Sequence, residues 1–485
     1  MRPTRIGLIF LVAALVVIAL TPDIGLADSV DAARIRHIEA DLRPALQIRG
    51  RPIERHTLSQ LMAAHRTPSI SIAIVDHGSI VWSRAYGMAD VAAKMPATVQ
   101  TIYQAGSISK PVAASAALQL VQERRLALDE SVNAELKSWH IPDSTFTDGH
   151  PVTLRELLTH TGGVSVHGFP GYAAGTPVPT LLEVLEGKPP ANSRPVIVER
   201  QPGKVWNYSG GGFTIVQLLM IETDGQSFPE LMRRRVLSRV SMTASTYEQP
   251  LPLNHGVDVA TGYLLDGQPV KGRFHTYPEM AAAGLWTTPS DLARWTIALE
   301  RAYNGEPSPL MSQASARDML KPGLGGWGLG ISVDRGTDEM KFGHSGDDWG
   351  FKARLIGWPK RERAIIAMGN SDDAFAVIDP LMQAVAREYG WKGLEPQTVT
   401  MFELNDEQRN ELLGSWGHGA VKISAEGSKL IGQYQGQRFE LIPQSPDSLI
   451  TPSGDELRAV RGPDHKIAAL SAGPWGRWER DDAGK

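Results

Sequence analysis

The run Tyr103-Gln104-Ala105-Gly106-Ser107-Ile108-Ser109-Lys110, continued by Pro111-Val112-Ala113-Ala114-Ser115-Ala116-Ala117, decides how the rest of the chain is read. From Ser107 to about Arg125 the apolar spacing is helical. Its alanines allow close approach of neighbouring elements. A serine and a lysine three residues apart share one helix face. A serine hydroxyl is a poor nucleophile until a base takes its proton. Lysine serves as that base when burial disfavours its charged form. The unpaired N–H groups of a helix start also point toward anionic oxygen. Ser-x-x-Lys alone is a common surface pair. Its place after a glycine and a strand pair, at the start of an Ala-rich helix, singles this one out.

Upstream, Ser69-Ile70-Ser71-Ile72-Ala73-Ile74-Val75 alternates as a strand. Asp76-His77-Gly78 turns it, and Ser79 to Tyr86 returns. Helices are expected over 30–46 and 57–66. Downstream, helical spacing recurs at 153–159, 213–223, 229–238 and 290–301, and strand patterns at 327–333, 351–357 and 363–369. Trp358-Pro359-Lys360-Arg361 turns the last strand pair, and a final helix is expected over 372–388. Strands therefore bracket a helical middle. That is an α+β plan with one antiparallel sheet built from both ends of the domain. Composition shifts near Glu395-Pro396. After a short helix at 406–413 come alternating segments at 429–434, 438–443, 448–451, 456–461, 466–472 and 476–480. Their close spacing predicts a small all-β barrel or sandwich. The expected domains are 28–395 and 396–485.

The chain has 485 residues, no cysteine and a formal charge of −4. Disulfides, thiolate metal sites and a cysteine nucleophile are thereby excluded, and no basic excess points to nucleic acid. Arg2 and Arg5 precede an apolar run from Ile6 to Leu20, ended by Pro22 and followed by Gly25-Leu26-Ala27. This is the layout of a signal peptide over 1–27, cleaved after Ala27. The expected place is the bacterial periplasm or outside the cell, with no membrane span after cleavage.

Two further stretches carry chemistry. Gln201-Pro202-Gly203-Lys204-Val205-Trp206-Asn207-Tyr208-Ser209-Gly210 delivers Tyr208 just ahead of a helix. A tyrosine beside a cation ionises more easily and relays protons. Lys341-Phe342-Gly343-His344-Ser345-Gly346 precedes the strand pair at 351–369. Its small residues suit a substrate backbone laid along a strand edge.

Taken in order, Ser107-x-x-Lys110, Tyr208 and His344-Ser345-Gly346 resemble the three signature elements of serine β-lactamases and penicillin-binding proteins. The resemblance is closest to the branch of class C β-lactamases, DD-carboxypeptidases, D-aminopeptidases and related esterases. Leu157-Leu158-Thr159-His160-Thr161-Gly162-Gly163 and Ala282-Ala283-Gly284-Leu285-Trp286 through Asp291-Leu292-Ala293 resemble that branch's connecting stretches. The likeness covers about 55–390 and implies a β-lactamase/transpeptidase-like fold with an all-helical subdomain. It implies Ser107 as nucleophile of an acyl-enzyme, with Lys110 and Tyr208 sharing acid and base work. It also implies an oxyanion hole from the N–H groups of Ser107 and Asp347. His344, Ser345 and Gly346 form its substrate-binding third motif, His344 standing where β-lactamases usually carry Lys. No metal or organic cofactor is implied, and the expected partner is a small-molecule or peptide substrate.

One departure stands out. Penicillin-recognising members read Tyr-x-Asn where this chain has Tyr208-Ser209-Gly210. That Asn usually reads a substrate amide, and glycine cannot. The leading expectation is an exported serine hydrolase of an ester, amide or lactam. The alternatives are a true β-lactamase, a DD-carboxypeptidase or D-aminopeptidase, and, from another class, a catalytically weak penicillin-binding or sensor protein.

Overall fold

The computed structural model describes residues 24–252, 258–336, 339–434, 437–473 and 476–481. The apolar run of the expected signal peptide lies outside them. The first described helix, α1 (Ile24–Ala40), contains the expected cleavage point after Ala27. It starts earlier and ends earlier than the 30–46 expectation. Pro44, lacking an N–H and fixing its own φ, keeps the helix from continuing to 46.

A seven-stranded antiparallel sheet organises the larger part of the molecule. Its strands are β1 (Ser69–Asp76), β2 (Ser79–Asp90), β3 (Met95–Pro96), β4 (Ser332–Asp334), β5 (Lys341–Asp348), β6 (Phe351–Trp358) and β7 (Arg363–Gly369). Their spatial order is β3-β2-β1-β7-β6-β5-β4. Strands from both ends of the domain thus meet where β1 pairs with β7, from Val75 opposite Ala364 to Ile70 opposite Gly369.

Both faces of this sheet are covered. Ile70, Ile72 and Ile74 of β1 pack with Ile35 and Ile38 of α1 and with Val377, Ile378 and Leu381 of α5 (Phe375–Tyr389). Ala73 and Val75 turn to the other face. There they join the core shared with α2 (Ser109–Gln122), α3 (Gly210–Asp224) and α4 (Pro289–Asn304). Period-two alternation therefore sorts one strand into two cores. Each helix is set by local signals. Ser209 caps α3 by accepting from the Gly212 N–H at 2.9 Å. Thr288 caps α4 in the same way, with Pro289 opening the helix.

Two expectations at the site need correction. Only Ser332–Asp334 of the 327–333 pattern is a strand, because Leu324–Gly326 forms a tight turn with Gly325 at φ +65°. The segment Lys341–Gly346 lies within β5 rather than ahead of the strands. Two glycines weaken its strand signal, yet Gly343 is needed there: a Cβ would sit 2.5 Å from the Leu355 carbonyl oxygen of β6.

Beyond residue 396 a short segment, Gln397–Val399, pairs in parallel with Leu46–Ile48. An eight-stranded antiparallel sheet then runs in sequence order from Gly414–Trp416 to Arg477–Glu479. A bridge between Trp416 and Arg480 nearly closes it into a barrel. Its own core includes Trp416, Ile423, Leu441, Leu449 and Leu470.

Candidate active site

The Tyr103–Lys110 run forms a sharp entry into α2. Gly106 adopts φ +50°, and a Cβ there would lie 2.5 Å from the Asp347 backbone nitrogen. Only glycine suits both the conformation and the approach. Gly346 meets the same segment from the other side, since its Cβ would fall 1.8 Å from the Ala105 carbonyl oxygen. Two glycines thus let the strand β5 and the turn carrying Ser107 touch through their backbones. Ser107 remains partly exposed, while its neighbours from Thr101 to Gly106 and from Ile108 to Lys110 are buried.

Lys110 is 2 % exposed. Its Nζ donates to Ser107 Oγ at 2.9 Å and to the Ala282 carbonyl at 2.8 Å. Ala282 belongs to the short helix Met280–Ala283, in a stretch that the sequence marks only by resemblance. Burial pushes the Lys110 amine down to about 7, against the opposing pull of Asp348. The amine therefore gains and loses its proton near neutral pH.

Tyr208 meets the same hydroxyl, its own hydroxyl hydrogen-bonding Ser107. Lys110 Nζ lies 5.0 Å from its ring centre. The expected ease of ionisation does not hold. Burial raises the phenol well above its ordinary value, and the Ser107 bond only partly opposes this. Tyr208 therefore rests as a phenol.

His160 is the residue that sequence reasoning left without a role. It adopts φ +57° at the end of the helix Leu154–Leu158 and is 2 % exposed. Its Nδ1 accepts from the Ser209 N–H at 3.1 Å, and its carbonyl accepts from the Asn207 N–H at 2.8 Å. Its ring lies 4.3 Å from the Tyr208 ring, centre to centre. His160 thus clamps both neighbours of Tyr208 and packs on its face. The Leu157–Gly163 stretch was the signal. Asn207 turns away, donating from Nδ2 to the Val164 carbonyl at 3.1 Å.

In the third motif, β4 covers β5 only from Lys341 to Gly343. On that side no strand among the described residues pairs with His344 to Asp348. Ser345 and Asp347 are exposed, and His344 is 6 % exposed. Its Nδ1 contacts the Ser345 carbonyl at 2.6 Å. Burial, and then the Lys110 charge, push the imidazole down to about 3, so it is neutral. Trp327, Tyr208 and His344 form an aromatic wall, with ring centres 5.5–6.2 Å apart.

Gly210 opens α3 and is buried. A Cβ at this position would meet the Phe169 ring at 3.0 Å and the His167 carbonyl oxygen at 3.1 Å. The place of a family Asn side chain is therefore taken by the segment His167–Phe169.

The family model described as Beta-lactamase matches residues 55–387. A protein of Bacillus subtilis (strain 168) described as penicillin-binding, PbpX, is 28 % identical over 273 residues, covering 54 % of this chain and 62 % of its own. A D-aminopeptidase of Brucella melitensis is 23 % identical over 383 residues, covering 75 % of this chain and 70 % of its own. Among solved structures, the octameric penicillin-binding protein homologue from Pyrococcus abyssi shares the fold. Its TM-score is 0.61 at 23 % identity, over 85 % of this chain and 94 % of its own. Within the span of that family model Lys110 and Tyr208 meet the Ser107 hydroxyl and the third motif packs against the turn that carries it, and the chain belongs to the Beta-lactamase family.

Proposed function

We propose that this protein is an exported serine hydrolase that cleaves an ester or amide through an acyl-enzyme on Ser107. The observation that carries the reading is the 2.9 Å contact between the Ser107 hydroxyl and a buried Lys110 amine that burial pushes down to about 7. Ser107 Oγ attacks the substrate carbonyl as its proton passes to Lys110 Nζ. The N–H groups of Ser107 and Asp347 hold the resulting oxyanion, where preorganised donors act most strongly. Tyr208, a phenol at rest, passes a proton to the leaving group and regains one from Lys110. Water then attacks the acyl group, its proton returning through the same pair, and Ser107 is released.

Substrate charge supports the ester and amide reading. A neutral His344 supplies no cation for a substrate carboxylate, and Gly210 supplies no side chain to read an acyl amide. Turnover of β-lactams or of D-Ala-D-Ala peptides is therefore the weaker activity. Residues 1–27 act as the cleaved signal peptide, 28–395 as the hydrolase domain and 396–485 as a separate small barrel domain. Among the described residues no helix is long and apolar enough to cross a membrane.

The test is a panel of p-nitrophenyl esters, D-amino-acid p-nitroanilides, nitrocefin and a fluorescent penicillin, with the intact mass of the exported protein. Ester turnover that disappears in Ser107→Ala is the expected result. Penicillin labelling without turnover of any substrate would favour a binding or sensor role instead. A mass that retains residues 1–27 would remove the export reading.

A further inference from the structure

A second buried lysine lies beside the site, on the other face of the sheet, and the mechanism above does not use it. Phe342 of β5 belongs to the core shared with α2. By alternation Asp347 projects to the opposite face, the one that α5 covers. Asp347 stands directly across from Lys352 of β6, and residues paired across strands share a face. Two residues further along β6, Arg354 pairs with Asp379 of α5 at 2.7 Å.

Lys352 is a bridge. Its Nζ donates to Asp347 Oδ1 at 2.5 Å and to Asp372 Oδ1 at 3.1 Å. Asp372 lies in the loop between β7 and α5. The same Asp372 oxygen accepts from the Gly350 N–H at 2.8 Å, in the turn that joins β5 to β6. Asp372 is itself held by its N–H, which donates to the Tyr263 carbonyl at 2.9 Å. The Lys352 side chain is 8 % exposed and that of Asp347 70 %. Burying an ammonium is costly unless it is paired. Burial works against the Lys352 charge, but the two carboxylates outweigh it and hold the amine above its ordinary value.

The bridge ends on the residue whose backbone meets the Ser107 turn. A Cβ on Gly106 would lie 2.5 Å from the Asp347 backbone nitrogen. Asp347 is next to last in β5, and β4 pairs with that strand only as far as Gly343. We propose that Lys352 is a positioning residue for the reaction of Ser107: by bridging Asp347 to Asp372 it fixes the end of β5, so that the Asp347 N–H stays aimed at the substrate oxyanion. This inference rests on the reading of Ser107 as nucleophile and of the Asp347 N–H as an oxyanion donor. Such a donor acts only at hydrogen-bond distance from the developing charge, and a misplacement of about 1 Å costs about 10²-fold in rate.

The experiment is stopped-flow acylation of the full chain by p-nitrophenyl acetate, which separates the acylation rate constant at saturation from the substrate dissociation constant. The variants are Lys352→Met, Asp347→Ala and the two combined. Lys352→Met keeps the length of the side chain. It leaves the Asp347 carboxylate facing water and Asp372 still bonded to Gly350. Each single variant is expected to lower the acylation rate constant about tenfold or more with the dissociation constant unchanged. The combined variant falls no further than either, because both changes remove one bridge. Arg354→Met is the control. It breaks an ion pair on the same face of β6 that does not reach β5, and it leaves the acylation rate constant in place.

An unchanged acylation rate constant in folded Lys352→Met overturns the inference. So does a change confined to the dissociation constant, an equal loss in Arg354→Met, or a combined variant that shows the product of the two single effects. If Lys352→Met does not fold, by circular dichroism, Asp347→Ala carries the test, and an unchanged rate constant there overturns the inference in the same way. Acylation that persists in Ser107→Ala breaks the underlying hydrolase reading instead, so the two failures are distinct.

Discussion

The seven-stranded sheet and the C-terminal barrel are both antiparallel, yet they bury different things. In β1, residues Ser69 to Val75 are all buried, because helices cover both faces of the sheet. In the barrel strand Val421–Glu426 only Val421 and Ile423 are buried, and in Glu456–Arg461 only Leu457. Among the described residues, every buried hydroxyl, amide, imidazole or charged side chain lies between Thr67 and Ser371. The barrel encloses a small apolar cluster, and its Ile442 and Ile450 form another with Leu46 and Val399. Shifted protonation states require a water-excluded interior thick enough to hold polar groups and their partners. The body, with helices on both faces of its sheet, buries such groups, and among the described residues the barrel does not.

This contrast breaks most readily at the proposed nucleophile. Ser107→Ala removes one oxygen and leaves the fold intact by circular dichroism. Ester turnover falls by about four orders of magnitude. A loss below a hundredfold would move the nucleophile elsewhere. Lys110→Ala and Tyr208→Phe each slow acylation by about 10²–10⁴-fold, the usual reach of general acid–base groups. Because both serve one proton path, the double variant falls short of the product of the two effects. A full product, read by stopped-flow acylation, would assign them to separate steps.

The barrel is tested by Leu470→Ala, at a fully buried position of its core. Denaturant unfolding is expected to show a loss of about 2–5 kcal/mol in the stability of that unit. The kcat/KM for p-nitrophenyl acetate stays at its wild-type value. A fall in kcat/KM would show that the barrel shapes the site and would erase the division. The smallest effect is at Gly210, where a side chain must displace the Phe169 ring. Gly210→Asn costs about 1–3 kcal/mol of stability by overpacking. It raises the ratio of fluorescent-penicillin to p-nitrophenyl acetate acylation several-fold at most. A larger rise would mean that Phe169 yields and that the missing Asn controls substrate choice.

Elements with strong local period were legible in the chain. Arg363–Gly369, Lys429–Tyr434 and Glu456–Arg461 match the expected strands residue for residue, and the helices at 58–64 and 289–304 lie within a few residues of expectation. Lys341–Asp348 was not legible as a strand. Its glycines answer to a neighbouring backbone rather than to a local preference. The barrel strand Val421–Glu426 also escaped, since four of its six residues are exposed and its apolar signal is short.

By itself the sequence determined the α+β plan, the order of three motifs and the pairing of Ser107 with Lys110, because residues three apart stay on one face as the 3-10 turn Gly106–Ile108 runs on into the helix Ser109–Gln122. Tertiary structure alone decided what those residues are chemically. The Ala282 carbonyl that anchors Lys110 comes from 172 residues away. His160 clamps the Tyr208 motif from 49 residues upstream of Ser209. Protonation follows burial and charge in space. Those are sums over the packed molecule, so no local window of sequence contains them.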